Sequence, residues 1–414
     1  MDKLIAKGGM KSHRTHPQLD GWQENDLKLR GGMTTLMLYC KPLLAVGLLL
    51  MIVACRQQPQ QLPNPSETPQ TPETEFEDRL TLDDVTLEQA NEQGQLLWRV
   101  EAKQASYSPD QRVAEVIQPS GELYQDGQLL YKIEAQKGEV YQDSKRIVLR
   151  DQIIATDPNN GLVLRGEELE WTVEQEILIV RNGVSGDHEK IQAIATEAQV
   201  FNKKKRAEFW NQVIVSSKDP VVKLHTDHII WYWEEEKLVS DQPLKIDRYQ
   251  QQTITDRGVA ETGEVNLKTQ VATLKKNVQI ALSEPSLKIG GQELNWNYQQ
   301  QTVNSPQPIT IIHQQEGVTF TANQGEGDLA KEVFKLKGNV VGIGQQRQAQ
   351  LNTDQLTWYI PQQTFEANGN VVYRQTDPPF NLRGDTAVGE LDNETIVVKS
   401  GGSQDQVTTE FVPE

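Results

Sequence analysis

GEELEWTVEQEILIV, residues 166–180, decides the fold, because it returns three more times. The copies are TDHIIWYWEEEKLVS (226–240), GQELNWNYQQQTVNS (291–305) and TDQLTWYIPQQTFEA (353–367). Their tryptophans, Trp171, Trp231, Trp296 and Trp358, stand 60, 65 and 62 residues apart. Within each copy an apolar residue recurs at every second position: Leu169, Trp171 and Val173; Ile229, Trp231 and Trp233; Leu294, Trp296 and Tyr298; Leu356, Trp358 and Ile360. Side chains alternate faces along a strand, so each triplet lies on one face. The positions between, among them Glu168, Glu170, His228, Tyr232, Glu293, Asn295 and Thr357, form a wet face. After a turn of Glu, Gln, Lys or Asn, a second strand adds Ile177, Leu238, Val303 and Phe365 to the apolar side.

Weaker copies without the aligned Trp fall between, at 137–151, 196–210, 262–277, 323–339 and 384–398. Units therefore recur about every 31 residues, in pairs of about 62. Two strands and a turn cannot bury a face alone, whereas stacked neighbours can, which is the logic of a repeat array. From about Leu80 onward the chain alternates apolar and polar residues, as in LLWRVEA (96–102) and LLYKIEA (129–135). Turn signals punctuate it at Pro109-Asp110, Asp126-Gly127, Asn159-Asn160-Gly161, Asn182-Gly183, Gly290-Gly291 and Asn368-Gly369. This is an all-β pattern. The longest unit spacing is assigned to a loop, DRYQQQTITDRG (247–258).

Composition narrows the function. The 414 residues carry 41 Lys plus Arg against 58 Asp plus Glu, a net charge of −17. Binding nucleic acid takes a dense basic footprint, so that class is excluded. A hydrophobic fraction of 36% suits many strands with one wet face each. The two cysteines, Cys40 and Cys55, precede the repeats, so no disulfide framework or cysteine-built metal site supports the body. No phosphate-binding G-x-x-x-x-G-K-[ST], no G-x-S-x-G and no H-E-x-x-H occurs. His225 and His228 are three apart, on opposite faces of a strand, and read as surface residues without a metal. Glu234-Glu235-Glu236 and NKKKR (202–206) read as solvated turns. Neither a cofactor nor enzymatic activity is expected.

The N-terminus carries an export signal. LLAVGLLLMIVAC (43–55), behind Lys41, has the length of a signal-peptide apolar region, and counting back to Met33 lengthens it toward a spanning anchor. Ile52-Val53-Ala54-Cys55 is similar to a lipobox, which makes Cys55 a lipidation candidate; the alternative is a cysteine ending an uncleaved anchor helix. Either way the chain is tethered to a membrane with its body outside the cytoplasm, and Met33 is an alternative start. Residues 56–76, with five prolines in a polar run, form a spacer reaching roughly 60 Å at polyproline rise.

These residues resemble a known family, the bridge-forming proteins of lipopolysaccharide export: LptC, LptA and the OstA-like domain. The recurring unit, with Gly338-Asn339-Val340 and Gly369-Asn370-Val371, resembles the OstA repeat, and LLWRVEAKQASYSPDQRVAEV (96–116) resembles the opening of an LptC domain. The likeness spans residues 80–400. It implies an extended, twisted antiparallel β-jelly roll of stacked repeats, with an apolar interior groove for acyl chains. The body is about twice one LptC domain, so residues 77–200 are assigned as LptC-like, 201–400 as LptA/OstA-like and 401–414 as a tail. The resemblance implies groove-lining roles for Val140, Leu169, Trp171, Ile229, Trp231, Trp233, Val265, Leu267, Leu294, Trp296, Tyr298, Leu356 and Trp358. It implies a periplasmic body anchored at the inner membrane. The implied partners are lipopolysaccharide or a related glycolipid, inner-membrane ABC transporter subunits, and another OstA-like bridge protein joined by edge-strand addition. Read without the resemblance, the Trp stripe is more simply an ordinary closed core with no ligand. The rival function is then a structural or adhesive surface lipoprotein, a repeat rod without lipid cargo.

Overall fold

The computed structural model describes residues 80–411 except 144, 346, 347, 378, 392–394 and 401–407. The apolar stretch 43–55, Cys55 and the spacer 56–76 lie outside the described residues. Residues 76–414 form one compact unit.

Twenty-eight strands are described, all antiparallel to their neighbours in one sheet. The first twelve are β1 (Thr81–Ala90), β2 (Leu96–Tyr107), β3 (Val113–Ile117), β4 (Ser120–Gln125), β5 (Gln128–Glu134), β6 (Lys137–Tyr141), β7 (Arg146–Thr156), β8 (Val163–Thr172), β9 (Ile177–Asp187), β10 (Ile191–Phe201), β11 (Arg206–Ser217) and β12 (Val222–Tyr232). There follow β13 (Lys237–Ser240), β14 (Leu244–Gln250), β15 (Thr253–Ala260), β16 (Thr262–Asn266), β17 (Val271–Leu282), β18 (Leu287–Asn297), β19 (Thr302–Ser305) and β20 (Ile309–His313). The last are β21 (Val318–Ala322), β22 (Gln324–Asp328), β23 (Val333–Gly344), β24 (Ala349–Tyr359), β25 (Thr364–Thr376), β26 (Pro379–Glu390), β27 (Thr395–Lys399) and β28 (Thr408–Phe411). Within the stretch assigned as a tail, β28 pairs with β26.

Each long strand bends once and so belongs to two walls. In β7 the bend falls at Asp151-Gln152, in β9 at Asn182-Gly183, in β11 at Asn211-Gln212, in β17 at Lys276-Asn277, in β23 at Gly338-Asn339 and in β25 at Gly369-Asn370. Both residues of each pair have positive φ, a conformation that Gly and Asn adopt at the lowest cost. The ladder slips at the same places, between Arg150 and Ile153, Lys275 and Val278, and Lys337 and Val340, for example. These are β-bulges, which bend a strand sharply. The bend returns the alternation to the same interior, so Leu149 and Ile153, Leu274 and Val278, and Leu336 and Val340 are all buried. Elsewhere the strand breaks outright: β18 meets β19 in one wall and β20 in the other. The inward side chains of both walls form a single apolar cluster from Leu87 to Val398.

The all-β jelly-roll reading is therefore the observed fold, with four local corrections. Asn182-Gly183, Gly290-Gly291 and Asn368-Gly369 are not turns but lie inside β9, β18 and β25. An Asn-Gly pair supplies left-handed backbone to a bulge as readily as to a hairpin, and the neighbouring strands decide which forms. Residues 247–258 are not a loop: β14 and β15 pair closely from Leu244 to Ala260 around a tight turn. Leu178, and not Ile177, is the partner of Trp171, at the same seven-residue spacing that joins Trp231 to Leu238, Trp296 to Val303 and Trp358 to Phe365. His228 faces outward but is buried, stacked 3.7 Å beneath Trp210 and bonded through Nδ1 to Asp241 at 2.8 Å.

Candidate functional site

One row of inward residues crosses the first wall without a break. It runs Tyr107, Ala114, Val140, Ile147, Trp171, Leu178, Val200, Ala207 and Trp231 as successive cross-strand partners. It continues through Leu238, Val265, Ala272, Trp296, Val303, Gly327, Phe334, Trp358, Phe365, Gly389 and Ile396. A Trp stands on every fourth strand: β8, β12, β18 and β24. At ~4.8 Å per strand the tryptophans repeat every ~19 Å along the stack.

Of the residues expected in a groove, Val140, Trp171, Trp231, Val265, Trp296 and Trp358 share this row. Leu169, Ile229, Leu294 and Leu356 are buried one inward position toward the bend, and Tyr298 is buried on the other side of the row. Trp233 and Leu267 pack against the core half-buried. Burial pushes the Tyr298 hydroxyl up to about 12.

The second wall supplies what covers the tryptophans. Tyr131 meets Trp171 edge-on at 6.4 Å between ring centroids, His188 meets Trp231 at 4.9 Å, and His313 meets Trp358 at 5.7 Å. Opposite Trp296 stands Gly258, so close that a Cβ there would lie 3.2 Å from the indole. Burial lowers the pKa of both His188 and His313, and raises that of Tyr131. Sequence reasoning missed these four residues. Each lies 38–45 residues before its Trp, but the residue type changes between Tyr, His and Gly, so no motif announces them.

At the free edges of the walls, polar ties join turns of the N-terminal half. Tyr131 donates to Asn202 Oδ1 at 2.6 Å, Lys190 pairs with Glu236 at 2.6 Å, and Gln125 bonds Glu176. Toward the C-terminus the interior opens into a cavity of about 110 Å³ lined by Val318, Phe320, Ile343, Leu351, Phe365 and Tyr373, with Glu316 and Glu390 beside it. Between β10 and β18 the interior keeps only about 20 Å³, among Val215, Leu238, Val265 and Tyr298.

The outer face is ionic. Arg150 joins Glu139 at 2.7 Å, and Arg181 joins Glu170 and Glu197 at 3.1 Å each, as cross-strand pairs. The Tyr141 hydroxyl, and after it Arg150, hold the Glu139 carboxyl below its ordinary range. Among the described residues no group of three or more His, Cys, Asp or Glu could hold a metal, and no helix is long and apolar enough to cross a membrane.

The family described as lipopolysaccharide-assembly, LptC-related, matches residues 42–170, 177–282 and 246–345, together more than half of the chain. No curated protein matches the chain. Among solved structures it is similar to the crystal structure of LptH from Pseudomonas aeruginosa, described as the LptA homologous periplasmic component of the lipopolysaccharide transport device. That likeness has 12% identity and a TM-score of 0.26, over 29% of this chain and 85% of the other.

Proposed function

We propose, since this chain belongs to the LptC-related family of lipopolysaccharide-assembly proteins, that it is a membrane-tethered periplasmic conduit for lipopolysaccharide. In this reading it takes the lipid from an inner-membrane ABC transporter and passes it along the interior toward the outer membrane. Cys55 or the apolar stretch before it holds the N-terminus to the membrane. Another OstA-like protein extends the path by adding to the terminal strands. No bond is made or broken.

The unbroken apolar row carries this reading. Twenty strands at ~4.8 Å span roughly 90 Å, with the same chemistry at every step. Each buried methylene gains ~0.8 kcal/mol, so hydrocarbon finds a nearly level path and lacks a direction of its own. Direction comes from ATP hydrolysis in the partner and from the next acceptor in line. Outside, the paired charges keep the body in water.

Photocrosslinkers at Trp171, Trp231, Trp296 or Trp358 should capture lipopolysaccharide in exporting cells, whereas those at Glu170, Tyr232, Asn295 or Thr357 should not. Full burial of the four tryptophans and the ties across the free edges favour a second reading, a closed structural rod without cargo. Equal capture from both faces, or none from either, would leave that rod.

A further inference from the structure

The four stripe tryptophans share an unusual defect. The indole N–H groups of Trp171, Trp231, Trp296 and Trp358 are all buried without an acceptor. Buried indole N–H groups ordinarily find a partner, and each one left bare lacks the compensation that water gave it in the unfolded chain. Trp98 shows the ordinary arrangement, donating to Gln89 Oε1 at 2.9 Å. Trp210 is also unpaired, but its ring is stacked on His228 on the outer face.

The cause lies in the side chains that flank each indole. In the row, Trp171 lies between Ile147 and Leu178, Trp231 between Ala207 and Leu238, Trp296 between Ala272 and Val303, and Trp358 between Phe334 and Phe365. None of these row neighbours carries an acceptor, and Tyr131, His188 and His313, which meet three of the tryptophans across the interior, accept no hydrogen bond from them. A Leu or Phe at the four positions would fill the interior without burying a bare donor. The same donor nonetheless recurs on every fourth strand, in one register, on the face assigned to cargo.

We propose that these indole N–H groups are hydrogen-bond stations for the carbonyl oxygen of an acyl ester or amide on the cargo, an inference that rests on the conduit reading above. An acyl chain entering a dry apolar interior brings that carbonyl with it, and the carbonyl needs a donor as much as the indole needs an acceptor. Four equivalent stations ~19 Å apart let the lipid exchange one partner for the next along the stack. They also select acylated lipids over plain hydrocarbon.

The test uses the full-length chain with 15N-labelled tryptophan and two probes of equal chain length and identical head, 1-monolauroylglycerol and 1-O-dodecylglycerol. Only the first has a carbonyl. The ester should bind about 2- to 10-fold more tightly per engaged indole and move stripe indole N–H resonances downfield, while the ether leaves them in place. Trp231→Phe and Trp296→Phe, which keep an aromatic ring and remove the donor, should each shrink the preference. Trp98→Phe should not, and circular dichroism establishes that each variant is folded. Equal binding of ester and ether, with no indole response, overturns the proposal and leaves the conduit standing. Failure of both probes to bind overturns the conduit and the stations together.

Discussion

At Gly258 the second wall packs close against a stripe tryptophan, and enlarging it tests the interior directly. A Cβ at this position would lie 3.1 Å from Leu274 Cδ1 and 3.2 Å from the Trp296 ring, against 3.4–4 Å for ordinary contact. The backbone of Gly258 is not left-handed, so a side chain adds crowding and no backbone strain. Overpacking a core costs ~1–3 kcal/mol. Replacing Gly by Ala at an unstrained site recovers ~0.4–1 kcal/mol through the unfolded chain. Gly258→Ala should therefore destabilise by roughly 0–2.5 kcal/mol, and Gly258→Leu by more than the top of that range. In a stacked array each strand depends on its neighbours, so the loss should appear as local opening. Hydrogen exchange should quicken in β15 and β18 and leave β7 and β8 unchanged. Gly258→Leu should also block lipid passage, because its side chain fills the space facing Trp296. Native exchange in β15 and β18 together with undiminished export in Gly258→Leu would refute the packing of Trp296 on Gly258 and the path through it.

Removing the tie at the free edge with Lys190→Ala should raise acrylamide quenching of Trp231 and leave the secondary structure intact; unchanged quenching would show that the tie does not hold the edge. Both His188 and His313 have pKa values lowered by burial. The stabilisation from their neutral rings is complete above the ordinary histidine value of about 6.5 and is lost as pH falls below it toward the folded values. Protection factors near Trp231 and Trp358, corrected for the intrinsic pH dependence of amide exchange, should accordingly fall between pH 7.5 and 5.5, and His188→Gln should remove that response at Trp231. A wild type indifferent to pH would contradict the buried placement of both histidines. Limited proteolysis should spare residues 247–258, which pair as β14 and β15, and early cutting there would contradict the hairpin.

The strand content and the lined-up tryptophans were legible in the sequence because both are local. Alternation of side chains along a strand has a period of two whatever the strand pairs with, so Leu169, Trp171 and Val173 declare a common face from sequence alone. The 31-residue period did the rest. Positions equivalent in the repeat recur at a fixed strand interval along the row, and Trp231 meets Leu238 in the same way that Trp296 meets Val303. Where local signals are ambiguous the reading failed: Asn182-Gly183 suits a turn or a bulge, and only the ladder on either side of it makes it a bulge.

By itself, then, the sequence determined an acidic, all-β repeat with one apolar face, since charge, alternation and period are properties of neighbouring residues. It did not determine what closes that face. The partners of the tryptophans are Tyr131, His188, Gly258 and His313, residues of three types brought across the interior by the bends of the strands. Only the tertiary structure decided that the indole N–H groups would lie buried and bare, because a donor is satisfied or orphaned by whatever the folded chain sets around it, and the residue type alone does not carry that information.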